Sequence, residues 1–363
     1  MSRRILLYGA TGFSGEALAR ALADLGGDLV LGGRSATRLK PLAESLGLQW
    51  RVFSVGPHHA ADHALADIGA LLNCAGPFSA TARLLMRSCL RTRADYFDLA
   101  GEWPVFETAM AMDAQARRAG IMLLPGAAFS IAASDCLLAL TAAAYPDTTT
   151  LRLGISRPPR IGRGSIATII GLNDAFVRVW RKGRIERLPA GHLTHAFDFG
   201  QGATDAVAVT WPDIFTAAGT TGIETVETYA EGGLSARLAM RAGAVVAGTA
   251  IGAAWQRAMT ASLADTPPPP INDKGIVLVA EARDRWRRPT TLRLRTGDGY
   301  AVTTAVASAA IRLWREGVRT PGFTTPARLY GPNFILDYGG ATLVPRAATR
   351  PDLSAAPPPE TAS

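Results

Sequence analysis

Ile5-Leu6-Leu7-Tyr8-Gly9-Ala10-Thr11-Gly12-Phe13-Ser14-Gly15 is the stretch that decides how this chain folds. A short apolar run leads into three glycines spaced G-x-x-G-x-x-G, and a helix-forming stretch, Glu16 to Leu25, follows. Strand, tight turn and helix in that order are the setting of a dinucleotide fingerprint. Gly9 permits the sharp turn, Gly12 lets the backbone approach a pyrophosphate, and Gly15 lets the helix pack on the strand. Unpaired N–H groups at the helix start then face the phosphate oxygens. Thr11, Phe13 and Ser14, between the glycines, are candidate cofactor contacts with them.

Leu29-Val30-Leu31-Gly32-Gly33 reads as the second strand, ending about twenty residues past the glycines, where the ribose-binding group belongs. An NAD site places Asp or Glu there to accept from the 2′-hydroxyl. This chain has Arg34, with Ser35 and Arg38 just beyond. A guanidinium pairs with a 2′-phosphate through two parallel hydrogen bonds, so the position predicts NADP (NADPH).

Further along, strands alternate with helices. Helix 36–46, strand 50–55, helix 58–66 and strand 68–73 precede the loop Cys74-Ala75-Gly76-Pro77-Phe78. Helix 81–91, strand 96–99, the loop Ala100-Gly101-Glu102, helix 105–119 and strand 121–124 complete the series. The alternation predicts an α/β fold with a doubly wound parallel sheet, a Rossmann domain, over residues 1–128. Ligands sit beyond the carboxyl ends of such strands. Asn73 and Ala75 to Phe78 are therefore candidate cofactor contacts, and Asn73, Cys74 and Tyr96 are the candidates for catalysis.

The rest reads as a mixed α+β substrate and dimerisation domain over 129–298. It contains a helix 130–144, an alternating strand 149–157, a helix 165–180 and strands 275–283 and 290–296. A long helix, 300–316, opens a segment 299–345, and the Ala-, Pro- and Thr-rich residues 346–363 read as a disordered tail. The uncharged stretch Ala242 to Trp255 is too short for a membrane span. It reads as a packed or homodimer-interface helix, with a membrane-surface role as the alternative.

Composition narrows the function. Of 363 residues, 48% are hydrophobic and 19% charged, enough for a large core. The net charge of +8 comes from scattered Arg residues without a basic run or alternating aromatics, which argues against nucleic acid. Three widely spaced cysteines, Cys74, Cys89 and Cys136, and an N-terminal apolar run that enters the glycine turn directly argue for a cytoplasmic protein. His59 with His63, and His192 with His195, lack a Cys or acidic neighbour at ligand spacing, so no metal site is expected. No Tyr has a Lys four residues on, and no G-x-S-x-G elbow occurs. The chemistry is left to a cofactor.

Five segments carry a resemblance: Gly9 to Gly15, Gly33-Arg34, Asn73 to Phe78, Tyr96-Phe97-Asp98-Leu99-Ala100-Gly101-Glu102, and Pro125-Gly126-Ala127-Ala128-Phe129. In this order they resemble the saccharopine dehydrogenase-like oxidoreductases. Phe215 to Ile223, Tyr229, Gly299-Tyr300 with Thr304, and Thr325-Pro326-Ala327 resemble the trans-acting enoyl reductase branch. The resemblance implies hydride transfer to an α,β-unsaturated carbonyl compound, possible in an acyl or thioester-linked small molecule. It implies a polar group or backbone N–H for the enolate oxygen, and a C-terminal helix that returns to the nucleotide domain. Glu102, Phe129, Ser130 and Arg157 are the substrate candidates. Where the family has Gly-Phe-Asp and then Pro-Ser-Asp, this chain has Ala128-Phe129-Ser130 and Ala133-Ser134-Asp135, losing an acidic group at 130. Two alternatives stand beside this reading. One is a C–N oxidoreductase for an amino acid conjugate, with Arg157, Arg160 and Arg163 binding carboxylates; the other is a non-catalytic nucleotide-binding protein at a lipid surface.

Overall fold

The computed structural model describes residues 3–56, 59–158, 174–262 and 275–344. Its first sheet is built from apolar runs with no exposed side: β1 (Ile5–Tyr8), β2 (Leu29–Gly33) and β4 (Ala70–Asn73) are buried at every position. Burial on both faces is what a parallel sheet covered by helices requires. With β3 (Gln49–Val52), β5 (Asp95–Asp98), β6 (Met122–Leu124) and a short β15 (Gly322–Phe323), the order is β15-β6-β5-β4-β1-β2-β3, all parallel. The order reverses at β1/β4, so the loops after these strands flank the crevice where dinucleotides bind. The crossover helices are α1 (Phe13–Ala21), α2 (Ala36–Leu46), α3 (Ala60–Leu65), α4 (Phe78–Thr92), α5 (Trp103–Ala111) and α6 (Asp113–Ala119). The stretch 105–119, read as one helix, breaks at Met112 into α5 and α6.

α7 (Phe129–Ala144) leaves the first domain and enters the middle of the molecule. Ile131 to Leu138 are all buried, the signature of a helix enclosed on every side. It packs on a nine-stranded mixed sheet ordered β10-β11-β12-β7-β13-β14-β16, with β8 beside β12 and β9 beside β8. These strands are β7 (Thr148–Ile155), β8 (Phe176–Arg181), β9 (Arg184–Pro189), β10 (Thr194–Asp198), β11 (Ala203–Ala208), β12 (Thr225–Glu231), β13 (Ile276–Asp284), β14 (Pro289–Thr296) and β16 (Thr342–Val344). α8 (Asp213–Thr221) lies beside α7, and a hairpin of α9 (Leu234–Val246) and α10 (Ala250–Ser262) follows β12.

Two readings of this half are corrected. The helix read over 165–180 falls partly outside the described residues, and its end, 176–181, is strand β8. Val177 and Val179 are buried while Phe176 is exposed, a period of two. Lys182 and Gly183 at φ 50° and 76° then close a hairpin, as a two-residue turn with positive φ should. The stretch 242–255 is not one helix: Ala247-Gly248-Thr249 break it, with Gly248 at φ 75°.

α11 (Gly299–Arg315) packs on α1, tied by Arg312 to Asp24 at 2.8 Å and Arg315 to Asp28 at 2.5 Å. Beyond it, Arg319 makes a two-pronged bond to the wholly buried Asp95 at 2.7 and 2.8 Å, and Trp314 Nε1 donates to the same carboxylate. The segment after α11 then serves both sheets, adding β15 to the first and β16 to the second. α12 (Pro326–Tyr330) and α13 (Phe334–Tyr338) lie between these strands in sequence and pack on α7.

Candidate active site

The glycine turn takes its shape from close backbone contacts. Gly9 has φ 83°, and its N–H and that of Ala10 both bond Gly32 O on β2. A Cβ at Gly9 would lie 2.8 Å from Ala75 N, so this turn and the loop after β4 touch. A Cβ at Gly15 would lie 2.1 Å from Gly9 O, which is why the helix can seat on the turn only with glycine there. Gly12 differs: a Cβ would meet only Gly9 O, at 3.3 Å, and otherwise open space. No side chain caps the start of α1, so the first N–H groups remain for an anion. Thr11 and Ser14 are half-buried, and Phe13 is 52% exposed with its ring edge-on to Tyr300 at 4.9 Å.

Arg34 and Arg38 are exposed at the end of β2, and Ser35 Oγ bonds Thr37 Oγ1. Arg38 also donates to Thr11 O at 2.8 Å, joining the ribose end of the crevice to the glycine turn. A turn open at Gly12, an uncapped helix start and two guanidinium groups fit a dinucleotide carrying a 2′-phosphate.

Asn73, Tyr96 and Asp98 form a buried relay behind the β4 loop. Asn73 Nδ2 donates to Tyr96 Oη at 3.2 Å and Thr81 Oγ1 at 3.1 Å, while its Oδ1 accepts from Ala75 N at 3.0 Å. Thr81 Oγ1 donates to Ala75 O, so Ala75 is held at both polar atoms. Tyr96 Oη donates to Asp98 Oδ2 at 2.7 Å. Asp98 Oδ1 accepts from Ala100 N and Gly126 N, both at 2.9 Å, linking the loops after β5 and β6. Gly76 and Pro77, joined by a cis peptide, are exposed at the tip, with Phe78 half-buried behind them.

This geometry changes the roles read for four candidates. Asn73 and Tyr96 are 0% exposed with their polar atoms turned to protein, so they position the loop and do not touch a substrate. Burial and the Asp98 charge push the Cys74 thiol up, keeping it neutral and a poor acid. Glu102, read as a substrate contact, is 1% exposed and accepts from Phe78 N at 2.9 Å and Ser79 N at 2.7 Å. It caps α4, placing a negative charge at the positive end of that helix.

Phe129 and Ser130 lie at the start of α7, both half-buried. Phe129 N donates to Thr303 Oγ1 on α11, and a Cβ on Gly101 would meet Ser130 Oγ at 3.1 Å, so Ser130 lies over the β5 loop. Arg157 is exposed just past the end of β7, on the second sheet, with its backbone N–H on Glu231. Arg160 and Arg163 fall outside the described residues.

Other residues at this edge were not singled out from sequence. Trp103, on the first turn of α5, stacks on Phe215 of α8 at 6.2 Å, and the Arg178 guanidinium lies 3.9 Å over its ring. Arg178 is itself paired with Asp174. Asp98 lay within a quoted motif, but its bond to Gly126, 28 residues away, has no local signal. Burial raises its carboxyl to about 6. Beneath the rim, Asp213 accepts from Ser134 Oγ, and Asp135 accepts from Ala327 N. Burial raises both, Asp135 to about 6. Among the described residues no group of three His, Cys, Asp or Glu is placed to hold a metal.

A Rossmann sheet in 3-2-1-4-5-6 order, a glycine turn open to pyrophosphate and a second mixed sheet define a dinucleotide-binding protein of two domains. Residues 5–124 match the model of the saccharopine dehydrogenase NADP-binding domain. Over 105 residues the chain is 34% identical to a trans-acting enoyl reductase of Mycobacterium leprae, covering 27% of this chain and 25% of that protein. It is 33% identical over 105 residues to one from Mycobacterium tuberculosis, with the same coverage. Each match thus spans about a quarter of the relative's length. In fold the chain is similar to saccharopine dehydrogenase (L-Glu forming) of Saccharomyces cerevisiae, with TM-score 0.64 and 14% identity over 94% of this chain and 100% of that one. The homospermidine synthase of Legionella pneumophila, solved with NAD, has TM-score 0.60 and 11% identity over 93% and 89%. At these identities the likeness is one of fold alone.

Proposed function

We propose that the protein is an NADP(H)-dependent oxidoreductase that reduces the C=C bond of an α,β-unsaturated carbonyl compound, in an acyl or thioester-linked small molecule. The observation that carries the cofactor choice is the end of β2, where Arg34 and Arg38 are exposed and no acidic side chain replaces them. Supporting the enoyl reading, Trp103, just past the β5 loop, stacks on Phe215 of the second domain, and the guanidinium over its ring, Arg178, is held by Asp174.

When bound, the nicotinamide supplies or accepts a hydride. The chain's own residues hold and orient it: the Gly12 turn and α1 N-terminus take the pyrophosphate, and Arg34 with Arg38 take the 2′-phosphate. The Asn73–Tyr96–Asp98 relay fixes the path of Ala75 to Phe78. The test is NADPH consumption against a panel of 2-enoyl thioesters, enones and cyclic imines. Turnover of enoyl compounds supports the proposal. Turnover of imines alone favours the C–N reading, and tight NADPH binding with no turnover favours a non-catalytic nucleotide-binding role.

A further inference from the structure

The α9–α10 hairpin is fastened on one side and bare on the other. Met240 and Ala244 pack against the cluster of Phe197 and Tyr229, and Arg237 Nε donates to Gly191 O. No residue of α9 is buried. Its outer face shows Leu234 at 65% exposure, Leu238 at 53% and Val245 at 81%, with Ser235, Ala239 and Ala242 between them. Ile251 at 74% and Trp255 at 47% continue the patch onto α10. Five large apolar side chains on two adjoining helices, with no charge among the exposed positions named, are more than scattered surface hydrophobics.

The charge of the segment says what covers this face. From Gly232 to Ala264 there is no acidic residue, and Arg237, Arg241 and Arg257 carry the only charges. A second copy of the hairpin would bring like charges together. The net positive charge of the segment instead favours an anionic bilayer. Trp255, half-exposed at the patch, has the amphipathic ring favoured at a membrane–water boundary. Each helix has 13 residues, about 20 Å, against roughly 30 Å of hydrocarbon core. No helix among the described residues is long and apolar enough to cross a membrane. Such helices lie in the plane of the interface.

We propose that the α9–α10 hairpin docks this protein on an anionic lipid surface, with Leu234, Leu238, Val245, Ile251 and Trp255 in the headgroup–acyl boundary. The inference does not depend on the reaction proposed above. It is tested by flotation of the full chain with phosphatidylcholine vesicles, with and without phosphatidylglycerol. The chain floats with the anionic vesicles, and Val245→Glu and Ile251→Glu each lower the partition coefficient by about tenfold or more. Both positions are exposed, so melting temperature and NADPH affinity stay unchanged. Absence of the wild-type chain from the floated fraction overturns the proposal, as does flotation of both variants like wild type. Equal binding to neutral vesicles overturns its electrostatic half. A wild-type dimer that does not float and that Val245→Glu dissociates identifies the face as a self-interface and overturns it too.

Discussion

Gly12 and Gly15 are three residues apart, and the structure predicts opposite consequences for the same added methyl group. At Gly15, alanine places Cβ 2.1 Å from Gly9 O, 2.9 Å from Gly9 C and 3.0 Å from Ala10 Cα. All three are backbone atoms of the turn, so no side chain can swing aside, and α1 must withdraw. Overpacking of this kind costs about 1–3 kcal/mol. Replacing a helix glycine by alanine returns only about 0.5–1 kcal/mol. Gly15→Ala should therefore lower both stability and NADPH affinity. At Gly12 the backbone, φ −82° and ψ 167°, suits any residue, and the new Cβ meets a single atom at 3.3 Å. Gly12→Ala should hold stability within about 0.5 kcal/mol, the range of surface substitutions. Its methyl group occupies the approach of the pyrophosphate, however, and losing one charge-assisted bond costs about 1.5–3 kcal/mol, or ten- to a hundredfold in affinity. Urea unfolding and NADPH fluorescence titration on both variants measure the two quantities. Unchanged NADPH affinity in Gly12→Ala refutes the assignment of this loop, and equal destabilisation by both variants refutes the steric argument.

Arg34→Ala should weaken NADPH about ten- to a hundredfold and leave NADH nearly unchanged, since only NADPH carries the 2′-phosphate; equal losses in paired titrations would make Arg34 structural. Asp135, raised by burial from 3.8 to about 6, binds its proton more tightly in the folded state. Its contribution is full below about pH 4 and is lost as pH rises to about 6, so wild-type stability should fall there by one proton's slope, about 1.4 kcal/mol per pH unit at most. Asp135→Asn, which keeps an oxygen for Ala327 N, should remove that slope from urea unfolding measured across this range; parallel wild-type and variant curves would contradict it. Asn73→Ala frees Ala75 N and loosens the β4 loop, so single-turnover oxidation of NADPH should slow far more than NADPH affinity falls. Affinity lost with turnover per bound cofactor preserved would show that the loop does not orient the nicotinamide.

The nucleotide half was legible because its signals are local. β1, β2 and β4 are unbroken apolar runs, and the first two end in glycines that must turn or touch backbone. The second half was less so. Val177 and Val179 alternate within a stretch whose neighbours also suit a helix, and the decisive sign was the Lys182-Gly183 turn beyond it. The α9–α10 stretch kept its apolar character, but small residues alone do not show where Gly248 takes positive φ. In the site, residue types were readable and roles were not. Glu102 was singled out as a carboxylate beside a crevice. What makes it a cap is the position of Phe78 and Ser79, more than twenty residues earlier, which the parallel packing of β4 on β5 brings to it.

Two buried aspartates show how donors decide what a carboxylate does here. Neither Asp98 nor Asp213 is exposed, so burial raises both. Asp98 receives Ala100 N, Gly126 N and Tyr96 Oη, three donors that favour the anion, and its carboxyl rises only to about 6. Asp213, buried beside the Asp135 carboxylate, has Ser134 Oγ on one oxygen and no partner for the other among the described residues, and it is raised well above the ordinary range. The difference fits their positions. An ionised Asp98 at neutral pH can hold the loops after β5 and β6 together and fix the Tyr96 hydroxyl beside them. A protonated Asp98 would hold all three more weakly, since hydrogen bonds to an ionised acceptor are the stronger ones. The order of the β4 loop, through Tyr96 and Asn73, therefore rests on a negative charge that these three hydrogen bonds sustain.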